Sequence, residues 1–265
     1  MMIRNKLDVT IGNVSEVYDG AGGILWEMLM GEQIHVGAEG DTDLLAGKSN
    51  IGKMSHVLDV CSALGGPARH LAQKYGCRVT GLDATRRMHE EAVRRTTDAG
   101  LEERVTFVLG NALDMPFAAD TFDVVWGQDA WCYITDKERL IEECARVVKP
   151  GGVVACTDWL ETGPMNRDEW EALHTFMVFP YMETLDGYAA LLEAAGLRVE
   201  EKVDISADFP KYIQGYLDKV QHEFQQGIID SYGREMYDEV VRGITLWREA
   251  AREGKVGRGR LIARK

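Results

Sequence analysis

Five short apolar runs, separated by amphipathic segments, occupy the middle of the chain. Each run is five or six residues long and is followed by turn-forming residues, which predicts a buried β-strand. The runs are His56–Val60, Arg78–Asp83, Val105–Leu109, Phe122–Trp126 and Val153–Asp158. The segments between them repeat their apolar residues at helical spacing. We therefore expect helices over Pro67–Tyr75, Arg86–Ala99 and Lys137–Val148.

Strands and helices alternate in the order that builds a parallel sheet with helices on both faces. Two later runs, Arg198–Ile205 and Arg258–Ala263, supply a sixth and a seventh strand. The sequence therefore predicts an α/β fold around a seven-stranded, mostly parallel sheet. In such a sheet, ligands bind at the carboxyl ends of the strands, near the switch in strand order.

Two segments fall outside this alternation. Residues 1–50 precede the first strand and are expected to form an N-terminal helical cap. Residues 206–253 have a helical pattern and separate the last two strands, so we expect a helical lid inserted there. The α/β core then comprises residues 51–205, and a final core strand lies within residues 254–265.

Composition and charge narrow the range of partners. The 265 residues are 45% hydrophobic, which suits one sizeable core, and the net charge of −13 opposes binding to a nucleic acid. No apolar run approaches the roughly 20 residues that span a membrane, and the first residues lack the apolar stretch of a signal peptide. We expect a cytoplasmic protein with a small-molecule substrate, no nucleic-acid or membrane partner, and at most a second copy of itself in a homodimer.

The five cysteines are scattered along the chain and are odd in number. Reduced thiols are therefore expected rather than a disulfide framework. No group of cysteines and histidines has the spacing of metal ligands, so no metal site is predicted.

Polar and glycine residues follow four strands at the edge where a parallel sheet places its ligands. The turn Asp59–Gly66 offers backbone N–H groups for close approach to a ligand. Asp83 ends the second strand, and a carboxylate there can accept hydrogen bonds from both ribose hydroxyls of a nucleoside. Asn111-Ala112 follows the third strand, where an amide can bind an adenine amino group. Gln128-Asp129 follows the fourth strand and faces the reactive end of the predicted pocket.

Over about residues 55–160, the chain resembles the class I S-adenosylmethionine (SAM)-dependent methyltransferases. The elements in that family's order are the turn after Asp59, Asp83, Asn111, Asp123-Val124-Val125 and Glu143–Gly152. Other segments are similar to the sarcosine/dimethylglycine methyltransferase group: Trp26–Gly37, Trp126–Ala130, Cys144–Arg146, Thr157-Asp158 and Gly243–Lys265. The resemblance covers most of the chain, with a poor match over the lid.

This resemblance implies a Rossmann-like fold, with SAM as cofactor and S-adenosylhomocysteine (SAH) as its product. The residues implied at the cofactor are Tyr18, Asp59, Cys61, Ser62, Gly65, Gly66, Asp83, Ala84, Asn111, Ala112 and Gln128. Gly65 and Gly66 are expected to let the cofactor approach the backbone closely. For Asn111, the structural alternative is an asparagine that closes its own turn.

The implied acceptor is a small molecule, with an amine nitrogen of the sarcosine/dimethylglycine type as the first candidate. The catalytic candidates are Asp129, Gln128 and His35, which would orient the acceptor or take its proton. A lone histidine is more commonly structural. Aromatic faces attract ammonium and sulfonium groups, which makes four aromatic residues candidates for substrate binding: Trp131, Trp159, Tyr181 and Trp247.

Two positions in the turn depart from the family pattern. Cys61 and Ala63 stand where the family usually has glycine. We expect both residues to keep a negative φ, because a single turn position tolerates a Cβ in that conformation. The alternative is weakened SAM binding or a modified pocket.

Three other functions stay open. A nicotinamide-dependent dehydrogenase needs G-x-G-x-x-G, and Cys61–Gly66 does not supply it. A SAM-binding protein without catalysis would have the same fold, because fold alone does not determine function. A methyltransferase could also use an oxygen, sulfur or carbon acceptor, and the sequence does not separate these from nitrogen.

Overall fold

A computed structural model describes residues 5–265 as a seven-stranded sheet flanked by helices. The strands are β1 (His56–Val60), β2 (Arg78–Asp83), β3 (Val105–Leu109), β4 (Phe122–Gln128), β5 (Val148–Glu161), β6 (Arg198–Asp204) and β7 (Val256–Arg264). Their order is β3-β2-β1-β4-β5-β7-β6, and β7 alone runs antiparallel to its neighbours. The predicted mostly parallel, Rossmann-like sheet is confirmed.

The described residues form ten α-helices, which are spread over both faces and one edge of the sheet. They are α1 (Ile11–Asp19), α2 (Ala21–Met30), α3 (Ala38–Lys48), α4 (Gly66–Tyr75), α5 (Arg86–Asp98), α6 (Lys137–Val147), α7 (Arg167–Met177), α8 (Leu185–Ala194), α9 (Phe209–Asp218) and α10 (Gln225–Arg252). Within residues 5–265, no helix combines the length and apolar character needed to cross a membrane.

The central strands are buried on both faces, which explains their continuous apolar sequence. In β1, Leu58 and Val60 pack with α6 and α8 on one face, whereas Val57 packs with α3 and α4 on the other. By contrast, the edge strand β6 alternates exposed with partly buried residues. The helical layers therefore cover the middle of the sheet and leave one edge half open to solvent.

Two helices and the length of one strand were not predicted. Helices α7 and α8 lie between β5 and β6, in a range for which the sequence analysis predicts no helix. Strand β5 extends to Glu161, three residues beyond the predicted end at Asp158, because β7 pairs with it over that whole stretch. Each helix begins at a side-chain cap, Asn166 for α7 and Thr184 for α8.

The cap and lid segments share an apolar core of their own. Residues of α2, α7, α9 and α10 pack around Trp159, which comes from the end of β5. Its ring lies edge-on to Trp247 and to Phe209, with 5.0 Å between centroids in each case. Apolar burial of this kind stabilises both segments on the sheet edge where the parallel strands β1–β5 end.

The backbone N–H and carbonyl of one residue tie the cap to the sheet. The N–H of Val36, which precedes α3, donates to Asp129 Oδ2 at 2.9 Å, and its carbonyl accepts from Arg258 Nη2 at 3.3 Å. Arg258, on β7, also donates from Nε and Nη2 to Asp129 Oδ1, both at 3.1 Å, and from Nη1 to Asp41 Oδ2 at 2.9 Å. We call Val36, Asp129 and Arg258 the Val36 clamp; all three are buried.

Replacing the clamp arginine should release the cap. Arg258→Met leaves the Asp129 carboxylate buried without its cation, which typically costs about 3–5 kcal/mol. We expect a loss of that order in the free energy of unfolding, measured by urea denaturation. Hydrogen exchange over 21–48 should also speed up more than exchange in β1 or β4.

Arg264 on the same strand is the matched control. It pairs with Glu200 near the surface, so Arg264→Met should cost less than about 1 kcal/mol. Equal losses for the two variants, or an unchanged rate of exchange in the cap of Arg258→Met, would contradict the clamp.

Candidate functional site

A cleft of about 390 Å³ lies where β1, β2, β3 and β4 end, with the cap on its other side. Its volume falls within the range of small-molecule pockets. The residues singled out by sequence that line it are Tyr18, Asp59, Cys61, Ser62, Asp83, Ala84, Asn111, Ala112, Gln128 and Asp129. Strand ends far apart in sequence therefore meet at one cavity, as the parallel topology requires.

The turn after β1 has a left-handed backbone at two residues that carry a Cβ. Cys61 has φ of 66° and Ala63 has φ of 43°. The expectation that both keep a negative φ is wrong. The N–H groups of Cys61 and Ser62 both donate to the Leu82 carbonyl, and the N–H of Ala63 donates to Asp83 Oδ2 at 2.8 Å. These bonds to β2 hold the turn in a conformation that glycine adopts more easily.

Gly65 and Gly66 do not line the cleft within residues 5–265, and their expected role at the cofactor stays a prediction. A Cβ at Gly65 would lie 2.4 Å from the Phe107 ring, and one at Gly66 would lie 2.2 Å from the Glu32 carbonyl oxygen. These glycines therefore allow close packing of the protein against itself. The second of them lets the cap reach the start of α4.

Glycine at position 63 should relieve strain. A left-handed residue with a Cβ costs about 1–2 kcal/mol, and the extra freedom of glycine in the unfolded chain returns about 0.4–1 kcal/mol of that cost. We expect Ala63→Gly to leave the free energy of unfolding unchanged or to raise it by up to about 1 kcal/mol in urea denaturation.

The matched control is Ala72→Gly inside α4, where the same change should destabilise by about 1 kcal/mol. If both substitutions were equally destabilising, the backbone at Ala63 would not be strained.

Two carboxylates stand side by side at the floor of the cleft. Asp83 Oδ1 accepts from the Thr85 N–H and Oδ2 from the Ala63 N–H, each at 2.8 Å. Burial raises the pKa of the Asp83 carboxyl, and these N–H groups oppose the rise. Burial raises the pKa of Asp59 to about 7, and the charge of Asp83 adds to this shift. A cation bound beside them would favour the ionised form of both.

The Asp59 carboxyl should make the free protein less stable as pH rises. Its pKa is about 7 when folded and near 3.9 in an unfolded chain, so the folded state holds the extra proton between those values. Stability therefore falls from about pH 4 to pH 7, and the full cost persists above pH 7. Asp59→Asn should raise the free energy of unfolding at pH 8 by roughly 2–4 kcal/mol and change it little near pH 4. Urea denaturation at both pH values tests this; a pH-independent difference would contradict it.

Asn111 and Ala112 line the cleft beside the end of β3. The side-chain oxygen of Asn111 accepts from the Leu113 N–H at 2.9 Å, so this asparagine closes its own turn. The structural alternative for Asn111 is confirmed, whereas contact with an adenine stays a prediction for this residue of the wall.

His35 is buried behind the wall, which corrects its expected catalytic role. Its Nδ1 lies 3.0 Å from the Val36 carbonyl oxygen and its Nε2 lies 2.9 Å from Thr42 Oγ1. Burial lowers the pKa of the imidazole. Because a carbonyl only accepts, Nδ1 carries the proton and the ring is fully used in structure. Thr42 Oγ1 lies 3.1 Å from the amide of Gln128, which does reach the cleft.

Asp129 lies at the cleft, but its carboxylate belongs to the Val36 clamp. Both oxygens already bind Val36 and Arg258, and the side chain is 1% exposed. Its backbone φ of 54° turns the chain sharply after β4. Asp129 is therefore a positioning residue, which corrects its expected role in orienting the acceptor.

The four aromatic residues expected at the substrate lie in packed cores instead. Trp131 packs beside Tyr188, with ring centroids 6.4 Å apart, and the Tyr181 ring covers the buried Lys137 ammonium at 3.7 Å. Trp159 and Trp247 form the aromatic centre between the cap and the lid. None of the four lines the cleft within residues 5–265. The expected aromatic acceptor pocket is corrected accordingly.

A tyrosine that the sequence analysis did not select faces the cleft. Tyr133 lines it, and its hydroxyl accepts from Tyr18 Oη at 2.8 Å. The two residues are 115 positions apart, so no local pattern indicates that they meet. Burial raises the pKa of both phenols. Their hydrogen bond joins the cap to the loop after β4 across the cavity.

Three polar atoms on the cleft wall have no hydrogen-bond partner among the described residues: Asp59 Oδ2, Ser62 Oγ and Gln128 Nε2. Buried polar atoms are normally paired, so unpaired ones in a cavity indicate a polar ligand. SAM carries an ammonium that a carboxylate can accept from, a carboxylate that an amide or hydroxyl can donate to, and a ribose diol. The side chains present fit those groups. Among residues 5–265, no three potential ligands gather as a metal-binding group.

Comparison with known proteins gives consistent matches. A model described as a methyltransferase domain matches residues 58–156. Methyltransferase GfsG of Streptomyces halstedii is 31% identical, over 73% of this chain and 75% of that protein. The 2-methyl-6-phytyl-1,4-hydroquinone methyltransferase of a Synechocystis strain is 30% identical, over 87% of this chain and 77% of that protein.

A solved structure shares the fold. The crystal structure ascribed to a sarcosine dimethylglycine methyltransferase from Galdieria sulphuraria matches with a TM-score of 0.76 and 26% identity. The match covers 85% of each chain, so it extends beyond the central sheet into the flanking helices.

Proposed function

Because this chain belongs to the class I SAM-dependent methyltransferases, we propose specific roles for the residues of its cleft. It is an enzyme that methylates a small molecule with SAM as cofactor. In our proposal, Asp83 holds the ribose hydroxyls, and Asn111 and Ala112 contact the adenine. The unpaired groups of Asp59, Ser62 and Gln128 hold the amino-acid end.

The observation that carries this assignment is the pair of carboxylates in the cleft, the buried Asp59 and the partly buried Asp83, beside unpaired donors. Two ionised carboxylates in one cavity repel each other, and burial penalises both. A ligand that brings a cation and hydroxyl donors offsets this cost. An anionic dinucleotide would increase it, which argues against a nicotinamide-dependent dehydrogenase.

Bound SAM supplies a methyl group on a positively charged sulfur. The chain then has to align the acceptor with that methyl and exclude water, which can account for about 7–11 kcal/mol of the barrier. The Tyr18–Tyr133 hydrogen bond and the Val36 clamp hold the cap over the cavity for this purpose. Catalysis by alignment requires no ionised base on the wall, in agreement with the structural roles of His35 and Asp129.

The relatives are named for different methyl acceptors. An amine of the sarcosine type, the first candidate from the sequence, is supported by the match to the Galdieria structure. The Synechocystis relative is named for an acceptor that carries a hydroquinone and a phytyl chain, and its match covers as much of this chain. A cytoplasmic location and a homodimer stay predictions from the sequence.

Removing the Asp83 charge should weaken cofactor binding. Asp83→Asn loses charge-assisted hydrogen bonds worth about 1.5–3 kcal/mol, which corresponds to a rise of about tenfold to 150-fold in the Kd for SAH. Calorimetric titration with SAH measures this. Asp98→Asn, at the exposed end of α5, is the control and should leave the Kd unchanged.

Equal SAH affinity for Asp83→Asn and the unmodified chain would reject this assignment of the ribose site. If SAH bound but no acceptor of any class were methylated, the non-catalytic alternative would be favoured.

A further inference from the structure

The cleft wall has no cationic side chain among the described residues. No lysine, arginine or histidine lines it, whereas Asp59 and Asp83 both do. Bound SAM brings an ammonium and a sulfonium, but its own carboxylate already uses part of that positive charge. A second carboxylate, on the acceptor, would meet Asp59, Asp83 and no cationic side chain among the described residues, which is unfavourable. The cavity is therefore better suited to an uncharged acceptor than to one that carries a carboxylate or a phosphate.

Three cations close to the wall are bound to the protein itself. Arg258 is held in the Val36 clamp. Lys137 is fully buried and donates to the carbonyl groups of Ile134 and Tyr181. Arg87 Nη1 donates to the Tyr18 carbonyl at 3.1 Å. Turning any of these into the cavity would break contacts that hold the wall in place.

The cap presents a continuous apolar face to the same cavity. Helix α1 has no fully buried residue, yet Ile11, Val14 and Tyr18, at positions i, i+3 and i+7, all line the cleft. This spacing places their side chains on one helix face. Ile34 and Ile134 extend the apolar surface on either side. Ile11 remains 49% exposed, so the surface continues to the mouth of the cavity.

Tyr133 adds a hydroxyl to this half of the wall, where Thr10, Ser15, Gln33 and Thr135 also carry polar side chains. Tyr133 accepts from Tyr18 and keeps its own O–H to donate. A neutral hydroxyl can accept from that O–H, which would fix the position of its oxygen. A protonated amine has no lone pair to accept with.

We propose that the acceptor is an uncharged, mostly apolar alcohol or phenol rather than an amino acid, an inference that rests on the proposed function. Its oxygen forms the new bond to the methyl carbon while the bond from that carbon to sulfur breaks. The bonding pair stays on sulfur, and the hydroxyl proton is released to water. The apolar part of the acceptor lies against Ile11, Val14 and Ile134.

The test compares two phenols that differ only at the end of the alkyl chain, a methyl group in 4-pentylphenol and a carboxylate in 5-(4-hydroxyphenyl)pentanoate, with sarcosine as a third probe. Binding to the SAH-loaded protein is measured by calorimetry, and methyl transfer is measured with labelled SAM. We expect the neutral phenol to bind at least about tenfold more tightly than its carboxylate counterpart, and sarcosine not to bind. Methylation should follow the same order.

A charge placed on the apolar face should reverse this preference. Val14→Arg is expected to weaken binding of the phenol and strengthen binding of the carboxylate probe. Glu16→Arg adds the same side chain to the exposed side of α1, away from the cleft, and should change neither.

Two results would overturn the proposed acceptor class: sarcosine turnover that equals or exceeds that of the phenol, or failure of the phenol to bind while SAH binds. Failure of SAH itself to bind would instead reject the proposed function. The titration with SAH therefore comes first and separates the two.

Discussion

The bidentate ion pair between Arg258 and Asp129 is the interaction on which the rest of the site depends. It joins β7 to the end of β4, and the two residues together bind the backbone N–H and the carbonyl of Val36. A buried ion pair adds little stability by itself, because desolvation offsets the attraction. Its effect here is on position: by holding Val36, it places the nearby cap residues Gln33 and Ile34 on the wall of the cleft.

Strain and unpaired charge are concentrated in the same small region. Cys61, Ala63 and Asp129 have left-handed backbones, and beside them Asp59 is buried and Asp83 is partly buried. Each feature costs free energy in the unliganded protein. They persist because hydrogen bonds to β2 and contacts with the cap determine the conformation from several sides. The free energy recovered when a cation binds is therefore part of the binding energy for the cofactor.

The sheet, and the edge of it where the cofactor is expected to bind, could be predicted because both follow from local sequence patterns. Buried parallel strands give continuous apolar runs, and strand ends converge whatever the loops do. The part of the cleft beside the cap could not be predicted. There Tyr18 contacts Tyr133 and Asp129 contacts Arg258, and each pair is more than a hundred residues apart in sequence. The φ of Cys61 was predicted wrongly because the carbonyl of Leu82, on another strand, determines it.

The position of β7 in the sheet has a consequence for assembly. It is inserted between β5 and β6, and within the described residues β6 has no other strand beside it. Residues 205–255 separate β6 from its partner β7 along the chain. The pairing of these two strands is therefore a contact between distant residues, which forms late in folding. Since β7 also carries Arg258, detachment of this one strand would open the sheet edge and release the cap together. Partial unfolding and loss of the binding cavity are then a single transition.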